Sequence, residues 1–169
     1  FLEEIKLSEW NFQLDLGAPF KETVTAVAMR YPQYADKILA FDERWQETMG
    51  GTFDSTVSLL EELHARSVPL YALSNWSREK FNVVEPNYPF LKWFRKIVIS
   101  GDEGVAKPDE RLFYRFLERS GLEAETCLFI DDSPANISVA SALGFDAILF
   151  TSADQIREEI RQRGMLADH

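Results

Sequence analysis

Cys127-Leu-Phe-Ile-Asp131-Asp132-Ser133-Pro134 is a short apolar run that ends in two adjacent acids and leads into a helix start signal. Two other segments have the same form. Val68-Pro-Leu-Tyr-Ala-Leu-Ser74-Asn75 ends in a hydroxyl and an amide, and Lys96-Ile-Val-Ile-Ser100 leads to Lys107-Pro108. Such apolar runs are typical of buried strands in parallel sheets. Because catalytic side chains of these sheets collect at the carboxyl ends of strands, the polar residues are expected to form one site.

Around these strands the sequence alternates between helix and strand. After Gly50-Gly51 we predict helices at 53–66, 77–84, 109–120, 134–143 and 153–163, and strands at 68–73, 96–99, 126–131 and 145–150. This alternation predicts an α/β fold with a Rossmann-like parallel sheet covered by helices on both faces. Before the glycine pair, 20–30 and 33–49 carry apolar residues every three or four positions and are predicted helices. Residues 1–49 are thus predicted to form a small helical cap, and residues 50–169 the α/β core.

The composition excludes several classes of protein. A net charge of −10 over 169 residues argues against binding nucleic acid or an anionic membrane, because such surfaces need clustered Lys and Arg. A small anionic substrate stays possible if its site is locally positive. The single cysteine, Cys127, permits no intramolecular disulfide and fits a reducing compartment. Since the sequence shows neither a long apolar run nor a signal-peptide pattern, we predict a cytoplasmic protein that does not enter membranes.

In order and type, the three polar strand ends resemble motifs two, three and four of the haloacid dehalogenase (HAD) superfamily of hydrolases. Most members of that superfamily are magnesium-dependent phosphatases. The resemblance covers roughly residues 50–169 and implies a sheet with strand order 5-4-1-2-3 and a helical cap inserted after the first motif. The loop after Ser74 and the start of the cap resemble the subgroup of sugar-phosphate phosphatases and the phosphatase domain of soluble epoxide hydrolase.

The superfamily's first motif, a buried strand that ends in the nucleophilic aspartate, is absent from these residues. The resemblance places this strand at the centre of the sheet, where its loss would orphan backbone groups at about 1–3 kcal/mol each. We therefore expect the nucleophile upstream of residue 1 and expect the chain alone to be inactive. Leu14-Asp15-Leu16-Gly17 is not this motif, because 8–13 is too polar for a buried strand; Asp15 is expected to be solvated or to cap a helix.

The acidic pair predicts a metal site. Carboxylate oxygens are the ligands that Mg²⁺ prefers. The resemblance makes Asp132 the direct ligand, with Asp131 acting behind it or through water, and Asn136 could orient both carboxylates. The alternatives are that the acids cap the helix that begins at Pro134 and that Asn136 is an ordinary first-turn polar residue.

Three further residues are assigned to the phosphate. By resemblance Ser74 and Asn75 bind it, and Lys107 is the catalytic lysine that pairs with the nucleophile and the phosphate as a compact positive charge. Taken singly, Ser74 and Asn75 could only cap the next helix, and Lys107 could be a surface lysine. Their order along the chain favours the functional interpretation.

The sequence therefore predicts a Mg²⁺-dependent phosphatase of small phosphorylated metabolites that acts through an aspartyl-phosphate. One alternative is a 2-haloacid dehalogenase, which attacks carbon and needs no metal. The pair Asp131-Asp132 disfavours it, because a haloacid carboxylate would meet two negative charges. The other alternative is a catalytically inactive HAD-fold binding protein. Substrate identity and oligomeric state stay open.

Overall fold

The predicted alternation of helices and strands is present in the computed structural model, which describes residues 1–166. Its α-helices are α1 (Leu7–Asp15), α2 (Phe20–Arg30), α3 (Ala35–Glu43), α4 (Asp54–Ala65), α5 (Arg78–Val84), α6 (Ser100–Glu103), α7 (Glu110–Ser120), α8 (Pro134–Ala142) and α9 (Ala153–Gln162). Its strands are β1 (Leu70–Ser74), β2 (Phe94–Ile99), β3 (Leu128–Asp131) and β4 (Asp146–Leu149). The chain therefore has the predicted α/β fold.

The helical region before Gly50 differs from the prediction in two ways. Helix α1 was not predicted; it buries Trp10 and Leu14, which lie four residues apart on one face. The helix predicted at 33–49 is divided into α3 and flanking 3₁₀ turns, and it breaks at Arg44, whose backbone has φ −112° and ψ 19°. The apolar spacing did not reveal this break, because a 3₁₀ turn also brings residues three apart to one side.

One compact unit consists of Phe1–Gly51, Ser74–Tyr88 and Ile99–Ala106. Its core is built by residues of the first three helices and the segment before them: Ile5, Trp10, Leu14, Phe20, Val24, Ala28 and Ile38. The ring of Phe41 stacks on Phe20 at a centroid distance of 5.8 Å and meets Trp10 edge-on at 5.2 Å. We call this part of the chain the first unit. The predicted boundary between cap and core at residue 49 stays a prediction.

The second unit consists of Thr52–Leu73, Pro89–Val98 and the described residues from Lys107 onward. It contains two two-stranded sheets, β1 with β2 and β3 with β4. Strands β3 and β4 are parallel, with Leu128 opposite Asp146 and Asp131 opposite Leu149. One core cluster joins α4, α9 and the strands, and it comprises Leu59, Leu63, Leu70, Ile148, Ile156, Ile160 and Leu166. An aromatic group of Phe113, Phe129 and Phe145, with rings 5.3–6.0 Å apart, packs beside β3.

A slot lies between β1 and β3 in the second unit. It is a cavity of about 730 Å³ lined by every residue of 68–73 and every residue of 126–132. Because successive side chains of a strand point to opposite faces, a cavity on one face would touch only alternate residues. Contact with consecutive residues places the slot beside the edges of both strands. In the described part of the chain β1 pairs with β2 and β3 with β4, so the slot separates the two sheets.

The burial of the two inner strands agrees with this arrangement. Leu70 is buried, but the rest of β1 and all of β3 are only half-buried, although their sequences are almost wholly apolar. A parallel sheet normally covers such strands on both faces and both edges. Within the described residues, no helix is both long and apolar enough to cross a membrane.

Candidate functional site

A buried ion pair lies where β1 and β3 end in the second unit. Lys107 donates from Nζ to Asp131 Oδ2 at 2.5 Å and to the carbonyl oxygen of Leu73 at 2.8 Å. The two side chains are only 10% and 7% exposed. Lys107 is joined to Pro108 by a cis peptide bond. The sequence predicted both residues as site residues, but it expected Lys107 to pair with a nucleophile rather than with Asp131.

Asp131 is held by more than the lysine. Its Oδ1 accepts hydrogen bonds from the backbone N–H of Ser133 at 2.9 Å and from Asn136 Nδ2 at 2.8 Å. Burial alone would raise the pKa of Asp131, but the hydrogen bonds from Lys107, Ser133 and Asn136 hold it below its ordinary value. Asp131 is therefore an ionised carboxylate whose two oxygens are both occupied by N–H donors. Asn136 is buried and lies in the first turn of α8, in contact with the carboxylate that the sequence suggested it could orient.

Asp132 has a different environment from its neighbour. It is exposed, it lines the slot together with Lys107 and Asp131, and it accepts no hydrogen bond within the part of the chain that the structure describes. Among those residues, no group of three or more His, Cys, Asp or Glu side chains is placed to hold a metal. Mg²⁺ needs no such group, because it keeps several waters and binds proteins through one or two carboxylates plus substrate phosphates. Asp132 thus fits a direct Mg²⁺ ligand better than the fully engaged Asp131.

Ser74 and Asn75 belong to the first unit, where a buried serine positions the turn that follows them. The backbone N–H of Trp76 donates to Ser100 Oγ at 2.9 Å, and this hydroxyl donates to the carbonyl oxygen of Asp15 at 2.6 Å. Ser100 is fully buried. It therefore links the end of α1 to the turn after β1. Ser100 was not predicted to be a positioning residue, although a hydroxyl at the end of an apolar strand is a signal that could have indicated it.

Asp15 was predicted to be solvated or to cap a helix, and the structure leaves its side chain only partly exposed to solvent. It is the last residue of α1 and is half-buried in a cavity of the first unit, which Asn75 and Trp76 also line. Desolvation by burial raises the pKa of its carboxyl. The prediction that Leu14-Asp15-Leu16-Gly17 is not the first-motif strand is confirmed, since this segment ends a helix.

The raised pKa gives a testable result for the Asp15→Asn variant. The folded protein holds a proton on Asp15 at a pH where the unfolded chain has already lost it, so folding is favoured as the pH falls. At neutral pH the ionised, desolvated carboxylate instead destabilises the fold. We expect Asp15→Asn to melt at a higher temperature than the wild type at pH 7, and we expect this difference to vanish near pH 3. Thermal melts at pH 7 and pH 3 measure this difference in melting temperature, and Glu43→Gln, a variant of an exposed acid, is the control. An equal difference at the two pH values would contradict the raised pKa of Asp15.

Haloacid dehalogenase-like hydrolases match residues 10–144. Flavin mononucleotide hydrolase 1 of Arabidopsis thaliana is 26% identical over 66% of this chain and 45% of its own length. Sesquiterpene phosphatase astK of Aspergillus oryzae is 29% identical over 62% of this chain and 54% of its own length. The chain thus spans about half the length of these relatives.

A solved structure shows the same fold. A HAD-family enzyme of Bacteroides thetaiotaomicron, determined as a magnesium complex, superposes with a TM-score of 0.76 at 24% identity. The superposition covers 94% of this chain and 83% of that enzyme. The family match includes Ser74, Lys107 and Asp131. This chain belongs to the haloacid dehalogenase-like hydrolases.

Proposed function

We propose that this hydrolase is a Mg²⁺-dependent phosphatase of small phosphorylated metabolites. The observation that carries the proposal is the buried pair of Lys107 and Asp131 beside an exposed carboxylate, Asp132, which accepts no hydrogen bond within the described residues. One fixed positive charge and one available hard ligand suit a reaction in which negative charge collects on phosphoryl oxygens. The relatives named as a phosphatase and a flavin mononucleotide hydrolase support the same class of reaction.

The proposed reaction proceeds through an aspartyl-phosphate. A carboxylate oxygen of the nucleophile attacks phosphorus, and the ester oxygen leaves with the bonding electrons and takes up a proton to become the alcohol. Water then hydrolyses the acyl phosphate, which releases inorganic phosphate and restores the carboxylate. Lys107 would stabilise the charge on the phosphoryl oxygens, and Asp131 would hold the lysine in place. Ser74 and Asn75 would bind the phosphate through hydrogen bonds.

The metal would be held by Asp132, and Asn136 with Asp131 would keep the neighbouring backbone in position. When bound, Mg²⁺ supplies Lewis-acid stabilisation of the phosphoryl oxygens. The acidic pair also argues against the dehalogenase alternative, because a haloacid carboxylate would approach Asp132 with no cation between the two charges. Asp131 is already neutralised by Lys107, so the unfavourable charge is that of Asp132.

We further propose that the nucleophilic aspartate lies upstream of residue 1, on a strand that occupies the slot between β1 and β3. The support is geometric. The slot runs along the edges of both strands, and Lys107, Asp131 and Asp132 line it. Neighbouring strands lie about 4.8 Å apart, so a strand between β1 and β3 would hydrogen-bond to both. Its last residue would then lie at the same edge of the sheet as the ion pair.

The direct test is phosphate release by the natural protein, upstream residues included, with and without Mg²⁺. We expect metal-dependent hydrolysis of p-nitrophenyl phosphate or of sugar phosphates. Activity on 2-haloacids without metal would instead favour dehalogenation. Absence of both activities would favour the binding protein.

The Asp132→Asn variant tests the metal assignment separately. We expect phosphate release to fall about 100-fold or more, because a ligand that positions transition-state charge is lost. The fold should be unaffected, since the Asp132 carboxylate accepts no hydrogen bond within the described range. Glu118→Gln, which removes an exposed acid from the same unit, is the matched control. Unchanged turnover and an unchanged Mg²⁺ requirement in Asp132→Asn would refute the assignment.

A further inference from the structure

The first unit contains its own cavity, separate in composition from the slot. Its volume is about 250 Å³, which is smaller than most sites for drug-sized ligands. Two tryptophans, Trp45 and Trp76, contribute flat apolar walls, and their ring centroids lie 6.2 Å apart. Asn11, Asp15 and Asn75 contribute polar groups. A cavity of this size and lining is suited to a ring-sized ligand that has both an apolar surface and a polar substituent.

The aromatic walls are fixed by contacts outside the cavity. Trp76 meets Phe81 edge-on, with centroids 5.6 Å apart. Lys80 lies 5.8 Å from the ring of Trp45 and 4.0 Å from that of Phe20. The ammonium of Lys80 is in turn paired with Asp42 at 2.5 Å. The walls are therefore preorganised, which lowers the cost of ordering side chains when a ligand binds.

Asp15 is an acidic group of the cavity, and its side chain is half-buried. It is the charged residue among the described residues that line the cavity. Ser100 bonds to its backbone oxygen, whereas its carboxylate accepts no hydrogen bond from the residues the structure describes. Burying a carboxylate without a donor is unfavourable, and the raised pKa of Asp15 reflects that cost. A ligand that donates a hydrogen bond to the Asp15 carboxylate would offset this cost.

We infer that this cavity binds a ring-sized apolar group bearing an O–H or N–H donor, and that Asp15 accepts the hydrogen bond from this donor. Binding of this ring-bearing group at the cavity does not depend on the proposed phosphatase function.

Three matched probes test the binding with the natural protein, upstream residues included. Benzyl alcohol carries a neutral donor, benzylamine carries a cationic donor, and benzyl methyl ether has the same ring without a donor. Tryptophan fluorescence reports binding, because two of the four tryptophans line the cavity. We expect at least one donor probe to bind about tenfold more tightly than the ether, the range of one hydrogen bond to a charged group. Equal affinities of all three probes would overturn the inference.

Variants at Asp15 identify the kind of donor. Asp15→Asn keeps an acceptor oxygen but removes the charge, and Asp15→Ala removes both. If the natural donor is a hydroxyl, benzyl alcohol should lose less affinity in Asp15→Asn, which keeps a neutral acceptor, than in Asp15→Ala, where the loss should be about tenfold. If the natural donor is an ammonium, the affinity for benzylamine should fall about tenfold in both Asp15→Asn and Asp15→Ala. Glu43→Gln should bind all probes as the wild type does. Unchanged affinity in both Asp15 variants would contradict the role of Asp15.

The same measurements separate this inference from the proposed function. The probe series on the wild-type chain stays decisive even if an Asp15 variant does not fold. Donor-selective binding together with no phosphate release from the natural protein would support the cavity and refute the phosphatase. Phosphate release together with equal binding of the three probes would support the phosphatase and refute the inference about the cavity.

Discussion

Replacing Lys107 by methionine is expected to lower the free energy of unfolding by about 3–5 kcal/mol, because it leaves the buried carboxylate of Asp131 without its cation. The carbonyl of Leu73 loses a hydrogen-bond donor in the same step. Methionine keeps most of the apolar stem, so lost packing contributes little. Urea unfolding of the natural protein measures the change. In the natural protein the same variant should also lose most of its phosphate release, since the fixed positive charge is gone.

Two further variants show whether the charge is responsible. Lys96→Met removes an exposed lysine from β2 and should change the stability by no more than about 0.5 kcal/mol. The double variant Lys107→Met/Asp131→Asn no longer buries an unpaired charge, and its amide still accepts from Ser133. It should recover a large part of the stability lost in the single variant. If Lys107→Met is no more harmful than Lys96→Met, the buried pair is not important for stability.

The second large effect is expected at Gly17, where two backbone segments of the first unit approach closely. Gly17 has φ +92°, and an added Cβ would lie 2.4 Å from the carbonyl oxygen of Gly101. The backbone of Gly101 is itself closely packed: a Cβ added to Gly101 would lie 2.8 Å from both Trp76 O and Arg78 N. Gly101 therefore has little space in which to move away from Gly17. We expect Gly17→Ala to destabilise the fold by about 2–5 kcal/mol, the sum of an unfavourable φ and a backbone overlap.

Gly51 offers a matched control for this variant. It has nearly the same φ, +89°, but nothing lies within 4 Å of an added Cβ. Gly51→Ala should therefore show only the cost of the backbone conformation, about 1–3 kcal/mol. The difference between the two variants in urea unfolding isolates the overlap with Gly101. Equal losses would mean that the close approach of Gly17 and Gly101 carries no strain.

Much of the α/β region could be predicted from local sequence patterns. Helix α7 was predicted at 109–120 and spans Glu110–Ser120, with Asp109 accepting from Arg111 N at its start and Gly121 at φ +67° after its end. These signals act within a few residues, so they can be read directly. Helix α1 was missed because its sequence, Leu-Ser-Glu-Trp-Asn-Phe-Gln-Leu-Asp, buries only two residues and carries no N-terminal side-chain cap.

The candidate site was predictable only in part. The place of Asp131 and Asp132 at and just after the end of β3, and that of Lys107 between β2 and α7, followed from apolar runs and their order. The resemblance already gave the two acids different roles, with Asp132 as the direct metal ligand and Asp131 behind it or acting through water. The structure adds that Asp131 is fully engaged by hydrogen bonds and that Asp132 is exposed. The link from Ser100 to Asp15 joins residues 85 positions apart, and no local pattern marks such a contact.

The sequence by itself determined most helices and strands after Gly50 and which polar residues follow the strands, because periodicity and end signals are local properties of the chain. Only the tertiary structure decided that Asp131 rather than Asp132 holds Lys107, that a slot separates β1 from β3, and that Asp15 is half-buried without a donor. Each of these depends on contacts between distant residues. Such contacts set burial, hydrogen bonding and pKa, and they follow from packing rather than from local sequence.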